Sequence, residues 1–353
     1  MNVVNVHNEW DPLEEVIVGT LEGATIPEWN IQLRSTMPQK WWDFYKKHGG
    51  EPFDPELIKK GEAELDEFIK ILEGEGIEVK RPDAISFSRP YSTMNWSVKG
   101  GLYAAMPRDF LLVVGDEIIE SPMSWRSRYY ENDAYRRIIK DYYKLGAKWE
   151  SAPKPELLDE LYNADYELNE GQNDNYSITE FEPVFDAADF IKCGTHIFVQ
   201  QSNVTNKFGI SWLQRHLGDR YKVVTLEVND DHPMHIDATF MPLAPGKLLI
   251  NENRLTKIPE MFKDWEILKA PMPNMPDDHP LFMTSKWINM NILMLDEERV
   301  IVERGEDNII KAFKDWGFKP IVCDFRHFNT FGGSFHCATA EIRRRGVLKN
   351  YFN

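Results

Sequence analysis

The amino-acid sequence predicts an α/β fold assembled from one small β/α unit that recurs along the chain. Five times, a segment with helical periodicity runs directly into an apolar, strand-like segment, and four of these junctions carry a glycine near the end of the helix. Hairpin-like pairs of apolar runs lie between the junctions. Repetition of a unit of roughly 50 to 70 residues favours a closed ring over a filament. The alternative is an ordinary α/β domain with coincidental junctions.

The first junction is the clearest. Residues 54–76, DPELIKKGEAELDEFIKILEGEG, place apolar residues near one helical face, with Asp54 as N-cap, Pro55 in the first turn and Gly74 or Gly76 at the end. The strand IEVKRP follows at once. The other four junctions are AYRRIIKDYYKLGAKWESAP, GISWLQRHLGDRYKVVTLEV, IPEMFKDWEILKAP and NIIKAFKDWGFKPIVCDF. Hairpins are predicted in FLLVVGDEIIE, FMPLAPGKLLINEN and NILMLDEERVIVERG.

Composition narrows the class of protein. The net charge of -16 is spread along the 353 residues, which argues against a nucleic-acid or anionic-membrane partner. We expect a cytoplasmic protein, because the first residues do not resemble a secretory signal and no stretch approaches the roughly 20 apolar residues of a membrane span. No low-complexity segment or Pro/Gly linker divides the chain, so we expect one domain, 1–353. Residues 168–177, LNEGQNDNYS, are predicted to form a long surface loop.

The segment FGGSFHCATAEIRRRG holds the cysteine with the most suggestive surroundings. A free cysteine is usually a small core residue, and a histidine beside it adds little, since adjacent side chains on a strand point to opposite faces. At Cys337, however, Gly332 and Gly333 allow a sharp bend or a close approach to a ligand. Cys193 and Cys323 lack this setting, and we interpret both as structural. Three cysteines also predict no disulfide framework.

Two further segments carry acids and a histidine. In HPMHIDATF, His235 and Asp237 alternate on a strand-like run and should share a face. In FEPVFDAADFIKCG, Asp186 and Asp189 lie among apolar residues, where an aspartate is costly unless it pairs with a cation or a histidine. The alternative is a capping or turn aspartate. Without CxxC or HExxH, the pattern predicts no metal site, although His235, Asp237 and Cys337 are potential ligands.

A nucleophile, a base and buried carboxylates together indicate a guanidino ligand. Carboxylates accept paired hydrogen bonds from the planar, protonated guanidinium group. Its central carbon is electrophilic, so a thiolate can add to it while a histidine protonates the departing amine.

These segments resemble the L-arginine amidinotransferases, which include glycine amidinotransferases and enzymes of natural-product pathways. The resemblance extends from NEWDPLEEVIVG to the end, through MPRDFLLVVGDEIIESPMSWRSRYYE, AKWESAPKP, FEPVFDAADFIKCGTHIFVQQSNVTN, PMHIDATF, PDDHPLFMTSKWINMNILMLDE and FGGSFHCATAEIRRRG. It implies a five-bladed α/β-propeller of the pentein type, with pseudo-fivefold ββαβ modules around a central active site.

The resemblance also implies a catalytic triad. Cys337 in GGSFHC would be the nucleophile, His235 in PMHID the general acid/base, and Asp186 in VFDAAD the carboxylate that orients the histidine. The reaction would be ping-pong, with an amidino-cysteine intermediate that is released to an acceptor amine. No cofactor or metal is expected, and the expected partners are L-arginine and an amine. Relatives are often homodimers, so a homodimer is an expectation too.

Five residues are implied to bind arginine. Asp109 in MPRD and Asp237 in HID would hold the guanidinium group. The amino-acid end would be bound by Arg254 in NENR and by Thr284 and Ser285 in MTSKW.

The acceptor amine is less defined. Glycine-specific relatives read NPMHID and GGGFHCWT, whereas this chain has His232 before Pro233-Met234 and Ser334 in GGSFHCAT. Met234 is compatible with a small acceptor, so glycine is our first expectation, ahead of lysine, an amino-cyclitol or a polyketide precursor. The competing functions are hydrolysis, as in arginine deiminases and dimethylarginine hydrolases, and a catalytically silent arginine-binding scaffold.

Overall fold

Five three-stranded sheets of identical topology make up the framework of the protein. The computed structural model describes residues 3–168, 175–255 and 257–352. Within these ranges, the middle strand of every such sheet runs antiparallel to the first strand and parallel to the third. The α/β class predicted from the sequence is therefore confirmed.

In spatial order within each sheet, the strands are β17 (Thr339–Arg344), β1 (Leu13–Val18) and β2 (Glu78–Lys80); β5 (Leu111–Val114), β6 (Glu117–Glu120) and β7 (Lys148–Ser151); β8 (Phe190–Cys193), β9 (His196–Val199) and β10 (Lys222–Thr225); β11 (Phe240–Ala244), β12 (Lys247–Ile250) and β13 (Glu266–Lys269); β14 (Leu293–Met294), β15 (Arg299–Glu303) and β16 (Lys319–Cys323). A separate hairpin pairs β3 (Tyr91–Ser92) with β4 (Ser97–Val98).

Helices connect the second and third strands of most sheets. Four of these connections contain α3 (Pro55–Gly74), α5 (Asn132–Lys144), α6 (Lys207–Leu217) and α7 (Asp307–Asp315). In the sheet of β11 to β13, one turn of 3₁₀-helix, Glu260–Phe262, replaces the α-helix. The helix predicted in IPEMFKDWEILKAP is thus wrong, because too few residues separate Pro259 from β13. The remaining helices are α1 (Ile31–Thr36), α2 (Trp42–His48), α4 (Pro107–Phe110) and α8 (Arg326–Asn329).

The predicted hairpins are confirmed as β5–β6, β11–β12 and β14–β15. Besides the separate hairpin of β3 and β4, two antiparallel pairings within the five sheets were not predicted. The strands β8 and β9 form a further hairpin around Gly194, which has a positive φ of 65°. Strand β17 pairs with β1, from the opposite end of the described chain. No local turn signals that pairing, so the pattern of residues gave no sign of it.

Helix α3 forms as its sequence predicts. The Asp54 side chain accepts a hydrogen bond from the backbone N–H of Glu56, and Gly76 follows the helix with φ of 81°. The buried face includes Leu65 and Phe68. The ring centroids of Phe68 and Phe335 lie 5.1 Å apart. Phe335 is two residues before Cys337 in the chain. Helix α3 therefore supports the segment that carries the cysteine.

The two remaining expectations concern a surface loop and a membrane-spanning segment. The loop predicted at 168–177 falls mostly on residues 169–174, outside the described ranges. Across residues 3–168, 175–255 and 257–352, none of the helices combines the length and the apolar character that crossing a membrane requires.

Replacing Phe68 by alanine tests whether α3 stabilises the segment that carries Cys337. The fully buried ring contacts Phe325 and Phe335, so Phe68→Ala should lower the free energy of unfolding by about 3 to 5 kcal/mol in a denaturant titration. Phe208→Ala, at a 42% exposed phenylalanine on α6, is the matched control and should change it little. Equal effects of the two substitutions would contradict this role of Phe68.

Candidate active site

One cavity of about 400 Å³ gathers most of the residues singled out in the sequence. Seven of them line it: Met234, His235, Asp237, Arg254, Thr284, Ser285 and Cys337. The other two, Asp109 and Asp186, are buried beside the cavity and both contact the ring of His235. All nine therefore come together.

Five of the polar residues of the site occupy similar positions in the repeated modules. Each lies within five residues before the first strand of a sheet. Asp109 precedes β5, Asp186 precedes β8, His235 and Asp237 precede β11, and Cys337 precedes β17. The fifth module places Asn291 at this position, two residues before β14, and Asn291 also lines the cavity.

Two glycines shape the turn that carries Cys337. Gly332 has φ of 99°, a left-handed conformation that favours glycine, and a Cβ there would lie 2.7 Å from Cβ of Met283. A Cβ on Gly333 would lie 2.4 Å from Sδ of Met106 and 2.7 Å from Cβ of Cys337. Neither position has room for a side chain, so the predicted bend is present and the backbone packs closely against Met106 and Met283.

His336 and Cys337 do not point to opposite faces. They lie in a turn before β17, not in an extended strand, and both side chains reach one oxygen of Asp237. Nδ1 of His336 is 2.8 Å from Oδ2 of Asp237, and Sγ of Cys337 is 3.4 Å from it. The neighbouring histidine is thus part of the site, contrary to the expectation from strand geometry.

The proposed strand alternation of His235 and Asp237 is also wrong. His235 has a positive φ of 57°, and Asp237 lies in the 3₁₀-turn Ile236–Ala238 that follows. Both line the cavity because of this turn. Nε2 of His235 lies 3.1 Å from Oδ2 of Asp186, and Nδ1 lies 3.6 Å from Oδ1 of Asp109. The expectation that buried Asp186 pairs with a histidine is confirmed.

These contacts set the charge of His235. Burial opposes protonation of the ring, but the negative charge of Asp109 and the hydrogen bond with Asp186 outweigh it and raise the pKa of His235 well above its ordinary value. The resting histidine is therefore an imidazolium that can donate a proton.

The surroundings of Cys337 favour its neutral, protonated form. Burial and the charge of Asp237 raise its pKa to about 12, although a hydrogen bond with His235 acts in the opposite direction. Only the thiolate is nucleophilic. A cation entering the cavity would offset the charge of Asp237 and favour ionisation.

Both carboxylates assigned to the guanidinium group are held through one oxygen only. Oδ2 of Asp109 accepts from Nη1 of Arg128 at 2.9 Å, while its buried Oδ1 has no hydrogen-bond partner among the described residues. Oδ2 of Asp237 accepts from Asn291 at 2.6 Å and contacts His336. No hydrogen bond from the described part of the chain reaches Oδ1 of Asp237. Each carboxylate thus keeps one oxygen that accepts no hydrogen bond from the described residues, although Oδ1 of Asp109 lies within ion-pair distance of His235.

Arg128 is a site residue that the sequence pattern did not reveal. Its Nε and Nη2 each lie 2.8 Å from an oxygen of Glu131, and its Nη1 lies 3.6 Å from Asp186 as well as 2.9 Å from Asp109. The spacing Arg-x-x-Glu in a segment otherwise rich in aromatic residues was the available signal. Arg128 supplies positive charge to two buried aspartates.

A buried charge cluster lies on the far side of His336. We define it as Glu9, Arg108, Lys192 and Glu341. Nε2 of His336 is 3.2 Å from Glu9, which also pairs with Lys192 at 2.9 Å. Arg108 pairs with Glu341 at 2.6 Å.

His336 also determines the charge of Asp237. Burial alone would raise the pKa of Asp237, but the hydrogen bond and charge of His336 outweigh burial and hold that pKa below its ordinary value.

Arg254 is a positively charged residue in the lining of the cavity. Nε of Arg254 lies 3.1 Å from Oδ2 of Asp230, and Nη2 lies 3.4 Å from Oγ of Ser285. Nearby, Nδ1 of His232 donates to the backbone carbonyl of Ser35 at 2.9 Å, so this histidine is fixed at the cavity wall.

Comparison with known proteins identifies the family. The L-arginine:L-lysine amidinotransferase of Pseudomonas savastanoi pv. phaseolicola is 58% identical over 346 residues, covering 98% of this chain and 95% of that protein. The mitochondrial glycine amidinotransferase of Gallus gallus is 50% identical over 356 residues, covering 98% and 84%. No protein-family model matches the chain.

Solved structures agree. SxtG, an amidinotransferase from Microseira wollei in the saxitoxin biosynthetic pathway, superposes with a TM-score of 0.93 at 50% identity over 99% of each chain. The inosamine-phosphate amidinotransferase of Streptomyces griseus superposes with a TM-score of 0.88 at 33% identity over the whole of both chains. The chain therefore belongs to the amidinotransferase family, and it is an enzyme of the EC 2.1.4 class.

The raised thiol pKa predicts how Cys337 reacts without arginine. Alkylation by iodoacetamide should be slow at neutral pH and should keep rising about tenfold per pH unit past about 8.5, the ordinary pKa of cysteine. Peptide-resolved mass spectrometry separates Cys337 from Cys193 and Cys323, which are buried as well. A rate that levels off near pH 8.5 (about the unperturbed value) would contradict the effect of burial and Asp237.

Proposed function

We propose that the protein transfers the amidino group of L-arginine to the amine of an amino acid, through an amidino-cysteine intermediate on Cys337. The observation that carries this proposal is the pair of carboxylates near Sγ, each with one oxygen that no hydrogen bond from the described residues reaches. A planar guanidinium group can bind two such oxygens at once. Its positive charge also matches the negative charge that they carry into a buried site.

In the first half-reaction, the guanidinium group of arginine binds between Asp109 and Asp237. Arginine binding favours loss of the Cys337 proton to solvent, because the charge of the guanidinium group offsets that of Asp237. The resulting thiolate adds to the guanidino carbon, and the imidazolium of His235 gives its proton to the side-chain nitrogen of arginine. The bond between that nitrogen and the carbon breaks, and ornithine leaves. Asp186 keeps the ring of His235 in place, because it holds Nε2 at 3.1 Å.

In the second half-reaction, neutral His235 accepts a proton from the acceptor amine as the amine attacks the amidino carbon. The carbon–sulfur bond then breaks, and Cys337 is released as the thiolate. Arg254, Thr284 and Ser285 would bind the amino-acid end of the substrate, since a carboxylate suits the guanidinium of Arg254 and hydroxyl donors. No step calls for a cofactor.

The absence of a metal remains a prediction. Ligand atoms of Asp109, His235 and Cys337 lie within 4.8 Å of one another, close enough to hold an ion. Two other expectations are likewise part of the proposal: a homodimer, and a cytoplasmic location supported by three free thiols.

We propose in addition that 1–353 is one domain, in which the five sheets are the blades of an α/β-propeller around the cavity. Support comes from the similar positions of Asp109, Asp186, His235, Asp237 and Cys337, each within five residues before the first strand of its module. The dimethylarginine dimethylaminohydrolase of Pseudomonas aeruginosa, at 16% identity and a TM-score of 0.57, is similar in fold alone.

For the acceptor, lysine is our first candidate and glycine our second. The relative that shares 58% identity is named for lysine, and lysine has the same amino-acid end as arginine, so Arg254 and Ser285 can bind either in turn. Glycine is favoured by Met234, which lines the cavity, and by relatives of 48% to 50% identity. This order reverses the expectation from the sequence.

Mixing the enzyme with arginine alone tests the intermediate. Mass spectrometry should show one amidino adduct on Cys337 together with free ornithine. Cys337→Ser should keep arginine affinity and lose turnover, because the hydroxyl is a far weaker nucleophile. Citrulline in place of ornithine would indicate a hydrolase, and neither adduct nor ornithine would indicate a silent scaffold.

A panel of amines tests the acceptor. Ornithine release from arginine should rise on adding lysine more than on adding glycine. If lysine uses the arginine site, Arg254→Gln should raise KM for arginine and for lysine together, whereas the exposed Arg215→Gln on α6 should change neither. Stimulation by glycine and not by lysine would reject our first candidate.

A further inference from the structure

Asn291 is buried at the cavity wall, only 1% exposed, between the 3₁₀-turn Lys286–Met290 and β14. Its Oδ1 accepts hydrogen bonds from the backbone N–H groups of Ser334 and Cys337, each at 3.0 Å. Two backbone donors on one atom identify that atom as the oxygen of the amide. The amide nitrogen therefore has to face the other way.

On that other side lie the nucleophile and a carboxylate. Nδ2 of Asn291 is 2.9 Å from Sγ of Cys337 and 2.6 Å from Oδ2 of Asp237. An amide nitrogen has two hydrogens, which is one for each acceptor. Sγ and Oδ2 are themselves only 3.4 Å apart. The amide thus lies against two groups that repel each other once the thiol has ionised.

We propose that Asn291 is a catalytic residue of the amidino transfer, whose amide N–H donates to Sγ and stabilises the thiolate each time it forms. The inference rests on the proposed function, in which Cys337 is the nucleophile. A donor stabilises a thiolate more than a neutral thiol, because hydrogen bonds to a charged acceptor are the stronger ones. The same geometry serves both half-reactions, since the thiolate is the attacking group in one and the leaving group in the other.

The position of Asn291 in the chain fits this role. It precedes β14 as Cys337 precedes β17 and Asp109 precedes β5, two residues before the strand in each case. The turns before these strands thus place polar side chains in the cavity or directly beside it. In this module it is a neutral donor, which adds no charge to a site already crowded with carboxylates.

Alkylation without arginine isolates the contact between Asn291 and the thiol. Asn291→Asp keeps an oxygen for the two backbone donors but turns a second oxygen towards Sγ, and Asn291→Leu removes every donor. Both should slow alkylation of Cys337 by iodoacetamide at a fixed, near-neutral pH by about 10- to 100-fold, with the aspartate variant slower. The control is Asn289→Leu, at a buried asparagine of the same 3₁₀-turn that bonds the carbonyl of Pro271.

Turnover separates this inference from the proposed function. Formation of the amidino adduct from saturating arginine should fall about 100-fold in Asn291→Asp, as for loss of one catalytic donor, and stay unchanged in Asn289→Leu. If the wild type forms the adduct and Asn291→Asp, folded by its thermal transition, matches it in both assays, the inference is overturned. If no wild-type adduct forms while alkylation still depends on Asn291, the proposed function fails and the contact with the thiol stands.

Discussion

Buried carboxylates need positive charge or hydrogen-bond donors beside them, and much of this molecule is arranged around that need. Asp109 is matched by Arg128, Asp186 by His235, and Asp237 by His336 and Asn291. In each case the partner uses one carboxylate oxygen and leaves the other. An apolar core would be more stable without these charges. The proposed function accounts for their retention, because a guanidinium ligand would bring the remaining positive charge with it.

Two pairs of adjacent residues link the buried charge cluster to the candidate active site. In α4, Arg108 belongs to the buried charge cluster while Asp109 contacts His235. In the turn before β17, His336 contacts Glu9 of that cluster while Cys337 lines the cavity. One turn of backbone therefore fixes both a site residue and the charge beneath it. A substitution that moves either turn displaces both layers.

The sequence predicts the class of fold and most residues of the candidate site because both leave local marks. Helical periodicity and capping located α3, and glycines with a cysteine located the turn at Cys337. The pairing of β1 with β17, the positive φ of His235 and the contacts of Arg128 and Asn291 depend on segments distant in the chain, which no local pattern encodes. Aligning the five modules on their first strands would have placed Asn291 beside Cys337.

The pairing of β1 with β17 has a consequence for the newly made chain. Cys337 and β17 are synthesised after every other site residue. Strand β1 therefore cannot pair with β17 until β17 has left the ribosome. Contacts between such distant segments close late, because a long loop must first be ordered. A chain still being translated contains Asp109, Asp186, His235 and Asp237 but lacks Cys337. The site can therefore be complete only after Cys337, two residues before β17, has been made.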